Sequence, residues 1–237
     1  HHTGREAALT ADNVIVAAGT LNTLRILLRS REAGGLTGMP RLGERFGTNG
    51  DYFGYWDYNN KSVDQTIGLP TTGGVKLKGD DTSPLIGGGL PAVDSYPLPK
   101  WVKARMKRAY MIAGLGEDNM TGRATFKKGR LQIDYNPDDS PIFARLRSTF
   151  AEIAQKTGHK IYAPKTPITV HPTGGACLGR SIDEGVIDSN GEVFDHPGLY
   201  VTDAAALPRA PGGPPSMTIA AWANHVATRF IERHARA

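Results

Sequence analysis

Apolar residues along this chain fall into short runs separated by glycine-rich polar stretches, and the spacing within each run predicts its element. Val14, Ile15 and Val16 form a buried-strand run that ends in "AAGT", where small residues let something approach the backbone. Leu21, Leu24, Leu27 and Leu28 follow at helical spacing, until the glycines and proline of "REAGGLTGMP" break the helix. From about 50 to 100 the pattern is irregular, with aromatics gathered in "DYFGYWDY" and turns marked by "TTGG", "IGGGLP" and "YPLP". That stretch suits strands and loops around a cavity better than a helical bundle. Ala109 to Asp134 alternates about a Lys-Gly turn and reads as two or three strands. The clearest helix follows: Ser140 is a candidate N-cap, Pro141 suits the first turn, and Ile142, Leu146, Phe150 and Ile153 make one stripe that stops at Gly158. The remainder predicts a strand at "ITV", a loop "HPTGGACLG", short strands "GVID" and "EVFD" about a Ser-Asn-Gly turn, and a strand "LYVTD". After a Pro/Gly-rich loop, a long helix runs from about Ser216 with a stripe of Ile219, Trp222, Ala223, Val226 and Phe230.

Composition narrows the class. A chain of 237 residues with 39% hydrophobic content can bury a real core in one large domain or two small ones. No apolar run approaches the roughly 18 residues of a membrane-spanning helix. The chain reads as soluble; the compartment stays open, with the cytoplasm slightly favoured. The net charge of +5 is spread along the sequence, densest in "KWVKARMKR", which reads first as a solvated face and second as a surface for an anionic partner. One cysteine, Cys177, excludes an intramolecular disulfide and a cysteine-rich metal site, and no other metal-ligand spacing occurs. The opening residues read as the tail of a hairpin whose partner is missing, so the chain looks like a piece.

Two loops carry candidate chemistry. In "HPTGGACLG", His171 is followed by a proline and then by small residues, so a titratable ring stands beside nearly bare backbone. In "GLYVTDAAALPRAPGGPPSMTIAAWA", a strand delivers Asp203 at its end and Ser216 opens a helix whose first N–H groups lack partners and favour negative charge. Taken singly, these also describe a hydrogen-bonded loop histidine and an ordinary strand–loop–helix closing an α/β domain.

Together with "ADNVIVAAGTLNTLRILLRS" and, more weakly, "LGERFGTNGDYFG", these ordered blocks resemble the C-terminal portion of the glucose–methanol–choline (GMC) family of FAD-dependent oxidoreductases, in its cholesterol oxidase branch. The resemblance implies an α/β (α+β) fold: the C-terminal portion of a Rossmann-like FAD-binding domain, interrupted by an antiparallel-sheet substrate domain backed by helices. Residues 1–50 and 166–237 would then belong to the FAD-binding domain and 51–165 to the substrate domain. It places Ala17, Ala18 and Gly19 along the adenine–ribose side, and Thr48, Asn49 and Gly50 in a loop near the isoalloxazine. It places Asp203, with Ala204 beside it, near the ribityl and pyrophosphate, and Pro215, Ser216 and Met217 at the flavin pyrimidine edge. Gly174 and Gly175 would leave room for cofactor and substrate. His171 would face the reactive side of the flavin, positioning the substrate hydroxyl or taking its proton while hydride passes to flavin N5. The implied activity is oxidation of the CH–OH group of an alcohol, a sterol or other apolar ring alcohol if Tyr52, Phe53, Tyr55 and Trp56 line the cavity.

The chain departs from the family in three places. Pro214 stands where the family carries an asparagine or second histidine, and proline offers neither a side-chain hydrogen bond nor an N–H. Asp94 is the nearest match to the carboxylate that cholesterol oxidases hold over the steroid, one methylene shorter. The glycine-rich dinucleotide fingerprint is absent, so FAD binding calls for an N-terminal segment or a separate chain of the same enzyme. Pro214 leaves open a catalytically impaired flavoprotein-like module that serves binding or assembly. A hydrolase is disfavoured by the lack of a G-x-S-x-G elbow, and nucleic-acid binding has only the basic balance behind it.

Overall fold

The computed structural model of the chain describes residue 4 and residues 8–62, 64–67, 71, 73–77, 80–90 and 92–235. In chain order, β1 (Val14–Val16) leads into α1 (Thr20–Glu32), and β2 (Phe46–Gly47) and β3 (Tyr52–Trp56) follow. Next come β4 (Gly73–Leu77), β5 (Asp80–Gly88), α2 (Lys100–Met106) and β6 (Tyr110–Gly114), then a hairpin of β7 (Arg123–Lys127) and β8 (Arg130–Asp134). α3 (Pro141–Thr157), β9 (Ile161–Tyr162), β10 (Thr173–Gly174), β11 (Leu199–Val201) and α4 (Ser216–His234) complete the order. The opening residues expected to end a hairpin lie largely outside the described residues. Among the described residues β1 and β11 pair in parallel, and all other named strand pairs are antiparallel.

One core forms on the five-stranded sheet, ordered β4-β5-β6-β3-β9. Tyr52, Gly54 and Trp56 pair with Gly114, Ile112 and Tyr110, and because side chains alternate, this set shares one face. α3 lies on that face, burying Ile142, Phe143, Leu146 and Phe150 against Tyr52, Leu85 and Ile112. Two glycines make the close approach possible. A Cβ at Gly114 would lie 2.2 Å from Leu146 Cδ2, and one at Gly54 would lie 3.0 Å from Phe150 Cε2 of the same helix. Pro141 starts α3 and Gly158 ends it at φ 70°. Ser140 precedes the helix but does not cap it; its Oγ accepts from the Asn119 N–H at 3.0 Å.

A second core gathers distant parts of the chain. Leu24, Leu27 and Leu28 of α1 pack with Met39, Leu42, Phe46, Ala176, Val186, Ile187, Val193, Val201, Ala205 and Ala206. Leu21 turns outward. The β7–β8 hairpin joins this cluster through Ala124, with Phe126 and Leu131 packed against it. Its tip is Lys128 (φ 53°) and Gly129 (φ 75°), two left-handed residues in succession, as a tight hairpin requires.

Three expectations need correction. "ITV" is not a strand, because Val170 gives its N–H to the Asp51 side chain at 2.9 Å. "GVID" and "EVFD" form only isolated bridges, Ile187 with Leu178 and Val193, and Glu192 with Tyr200. On α4 only Val226 is buried; Ile219, Trp222, Ala223 and Phe230 are half-buried. Trp222 donates its indole N–H to the Val201 carbonyl at 3.2 Å, which ties α4 to β11.

Candidate active site

Three buried aspartates organise the loops between these cores. Asp203 follows β11 and sits at the N-terminus of α1, where Gly19 offers no side-chain cap. Its Oδ2 accepts from the Gly19 N–H at 2.9 Å and from the Thr23 hydroxyl, and its Oδ1 accepts from the Ala205 N–H at 2.9 Å. A carboxylate brought from the far end of the chain thus caps the helix that β1 feeds. Thr20, the first residue of α1, donates to the carbonyl of Pro172 at 2.6 Å and so fixes the residue after His171. Ala17, Ala18 and Gly19 stay exposed beside this turn, and a Cβ at Gly19 would meet no atom within 4 Å.

Asp118 holds the loop from Thr48 to Gly50. Its Oδ2 accepts from the Thr48 N–H at 2.6 Å, the Thr48 hydroxyl at 2.7 Å and the Tyr135 hydroxyl at 3.1 Å. Burial pushes the Tyr135 phenol well above its ordinary range, against the Thr48 hydrogen bond that pulls it down. Asn49 is fully buried at φ 56°; its Nδ2 donates to the Gly213 carbonyl at 2.9 Å and its Oδ1 accepts from the Gly212 N–H at 3.0 Å. The Thr48–Gly50 loop is therefore bolted to the Pro/Gly-rich loop that leads into α4.

Asp51 is the third. Its side chain is 0% exposed and that of His171 is 25% exposed, and both carboxylate oxygens lie 3.0 Å from His171 Nδ1. Oδ2 also accepts from the Thr169 hydroxyl at 2.8 Å and from the N–H groups of Val170 at 2.9 Å and His171 at 3.1 Å. The sequence reading missed Asp51. The one available sign was a charged residue directly before an aromatic strand.

The other expected residues divide. α4 begins at Ser216 with no side-chain cap, and its first hydrogen bond runs from the Ile219 N–H to the Pro215 carbonyl at 2.9 Å. Ser216, Met217 and Thr218 are exposed, so their N–H groups form a bare, partly positive helix end. The room beside Gly174 and Gly175 is taken by protein: Cβ atoms there would lie 2.0 Å from the Arg45 carbonyl and 2.6 Å from Leu24. Ala204 is buried in the turn after Asp203. Asp94 stands apart on the surface, its carboxylate paired with Lys107 at 2.7 Å. The four aromatics split by strand alternation: Tyr52 and Trp56 share the α3 face, while Phe53 and Tyr55 take the opposite one.

Residues 121–223 match the family model for GMC oxidoreductase. Over these residues the chain is similar to the C-terminal domain of that family. The cholesterol oxidase of Mycobacterium tuberculosis is 26% identical over 273 residues, covering 92% of this chain and 46% of that enzyme. The long-chain-alcohol oxidase FAO4B of Arabidopsis thaliana is 33% identical over 67 residues, 28% of this chain and 9% of that protein. Among solved structures, pyridoxine 4-oxidase from Mesorbium loti superposes with a TM-score of 0.66 at 21% identity, covering 95% of this chain and 52% of that one. The chain thus spans about half the length of the cholesterol oxidase it matches. GMC oxidoreductases bind FAD, and their FAD-binding fold is α/β. The residues present fit such a group: the bare end of α4 offers amide donors, and Gly19 and Gly213 leave open backbone, where an added Cβ would meet nothing within 4 Å.

Proposed function

We propose that this chain is the C-terminal part of an FAD-dependent oxidoreductase that oxidises the CH–OH group of an alcohol, with His171 as the group that takes the hydroxyl proton. The observation that carries this reading is the His171 ring itself, partly exposed and anchored through Nδ1 to buried Asp51, which follows the Thr48–Gly50 loop that Asn49 ties to Gly212 and Gly213 ahead of α4. FAD, when bound, supplies the hydride acceptor. His171 Nε2 would accept the proton that the alcohol loses as its carbon gives up hydride, and the N–H groups of Ser216 and Met217 would face the negative charge that follows. Ala17, Ala18, Gly19, Asp203 and Ala204 would lie along the rest of the cofactor, and Thr48, Asn49 and Gly50 would shape the loop beside its ring. Residues 1–50 and 166–237 would form the FAD-binding part and 51–165 the substrate part, with the β7–β8 hairpin docked on the former. An N-terminal segment, or a partner chain carrying the dinucleotide fingerprint, would complete the site. A sterol or another apolar alcohol is the substrate class that the cholesterol and long-chain-alcohol oxidase relatives suggest.

The test is anaerobic flavin reduction by a panel of alcohols in the complete protein. His171→Ala should slow reduction by about 10²-fold or more with the flavin spectrum retained; an unchanged rate would remove His171 from the chemistry. Exposed Pro214, which offers no polar side chain at the site, favours a second reading as a binding or assembly module. A complete protein that holds flavin but is reduced by no alcohol would select that reading.

A further inference from the structure

We propose that Asp51 is a positioning residue that fixes His171 as its Nδ1–H tautomer and so leaves the Nε2 lone pair as the proton acceptor. Asp51 is buried at 0% exposure, and every group it touches is a donor or must act as one. Oδ2 takes the Thr169 hydroxyl and the N–H groups of Val170 and His171, and both carboxylate oxygens lie 3.0 Å from His171 Nδ1. An ionised carboxylate only accepts hydrogen bonds, so Nδ1 carries the proton that points at it. A neutral imidazole holds one N–H, and Nε2 is then bare. Nε2 has no hydrogen-bond partner among the described residues, and the ring keeps 25% exposure, so this nitrogen is the one left to meet a substrate.

The backbone around the ring is held by the same carboxylate. Thr169 Oγ1 also accepts from the His171 N–H at 2.8 Å, and it donates to Asp51 Oδ2, so the residues before the ring are pinned at successive positions. Oδ2 alone serves this clamp, whereas both oxygens face the ring nitrogen, and that asymmetry gives a substitution that spares the clamp. In Asp51→Asn the amide oxygen can keep the place of Oδ2 and accept from the same backbone. The amide nitrogen then replaces Oδ1 and sets an N–H donor against Nδ1 where a carboxylate oxygen stood, which shifts the ring proton toward Nε2. The variant keeps its fold and loses the lone pair at the reacting nitrogen.

The experiment is ¹⁵N NMR of the complete flavoprotein labelled at histidine, read at His171 in the wild type and in Asp51→Asn, alongside anaerobic flavin reduction. The expected result is an Nδ1–H ring in the wild type and an Nε2–H ring in the variant. Reduction should be slower by about 10²-fold or more in the variant, with little change in substrate affinity. An Nε2–H ring in the wild type overturns the proposal, whether or not the variant folds. So does a variant that keeps the Nδ1–H tautomer. The kinetic half rests on His171 being the base, as proposed above, whereas the tautomer half does not. A proton that moves while His171→Ala reduces flavin normally would sink the base and keep the positioning role.

Discussion

The α3 face of the five-stranded sheet and the loops around His171 hold themselves together by opposite means. On the sheet, Phe143, Leu146 and Phe150 are buried against Tyr52, Leu85 and Ile112, and the adhesion is non-directional contact proportional to area. Around His171 the buried side chains of Asp51, Asp118, Asp203 and Asn49 are each held by hydrogen bonds to backbone or side chains of remote segments, while the buried Thr173 hydroxyl has no partner among the described residues. Apolar packing tolerates small rearrangement, because a methyl group can shift by a fraction of an ångström at little cost. A carboxylate with several donors tolerates far less, since each displaced donor is left unpaired away from water. The difference teaches where precision is kept: the sheet supplies stability, and the aspartates supply angle and distance.

Three substitutions probe that contrast, each read by urea unfolding together with the rate of flavin reduction in the complete protein. Phe143→Ala, which empties the centre of the sheet core, should destabilise by about 3–5 kcal/mol and leave reduction per folded molecule nearly unchanged. A large loss of rate in the molecules still folded would mean that the two regions are not separable. Asp118→Ala should cost about 2–3 kcal/mol by orphaning the Thr48 and Tyr135 donors, and it should also slow reduction, because the freed loop carries Asn49 and Asp51. A variant of normal rate would show that Asp118 serves stability alone. Lys128→Asn, at the left-handed tip of the β7–β8 hairpin, should stabilise by roughly 0.5 kcal/mol without touching the rate, since Asn-Gly suits that turn better than Lys-Gly. A loss of stability there would contradict the turn assignment.

Much of the frame was legible from local pattern. The Val14–Val16 strand, the α1 leucines, the Pro141-to-Gly158 helix and the Lys-Gly turn each carry their signal within a few residues, although the run expected to be buried at β1 keeps only Val16 inside, with Val14 49% and Ile15 54% exposed. His171 and the Ser216 helix end were legible as chemistry because proline and glycine crowd beside them. Asp51 was not, since it meets His171 across 120 positions and nothing nearby marks the pairing. The same carboxylate explains the "ITV" error: β-branched residues favour a strand, but a side chain from elsewhere claimed the Val170 N–H before a neighbouring strand could. The aromatic cluster misled in another way. Period two already separates Tyr52 and Trp56 from Phe53 and Tyr55, and chemical likeness hid that geometry.

The parallel pairing of β1 with β11 has a consequence for how the molecule comes into being. Val14 faces Leu199, and the Asp203 carboxylate caps a helix start 184 positions earlier. Emerging from the ribosome in order, the strands and helix between residues 52 and 162 can collapse on one another while β1 still waits for its neighbour. The loops around His171 are therefore completed late, when the stretch carrying Asp203 folds back onto β1 and α1.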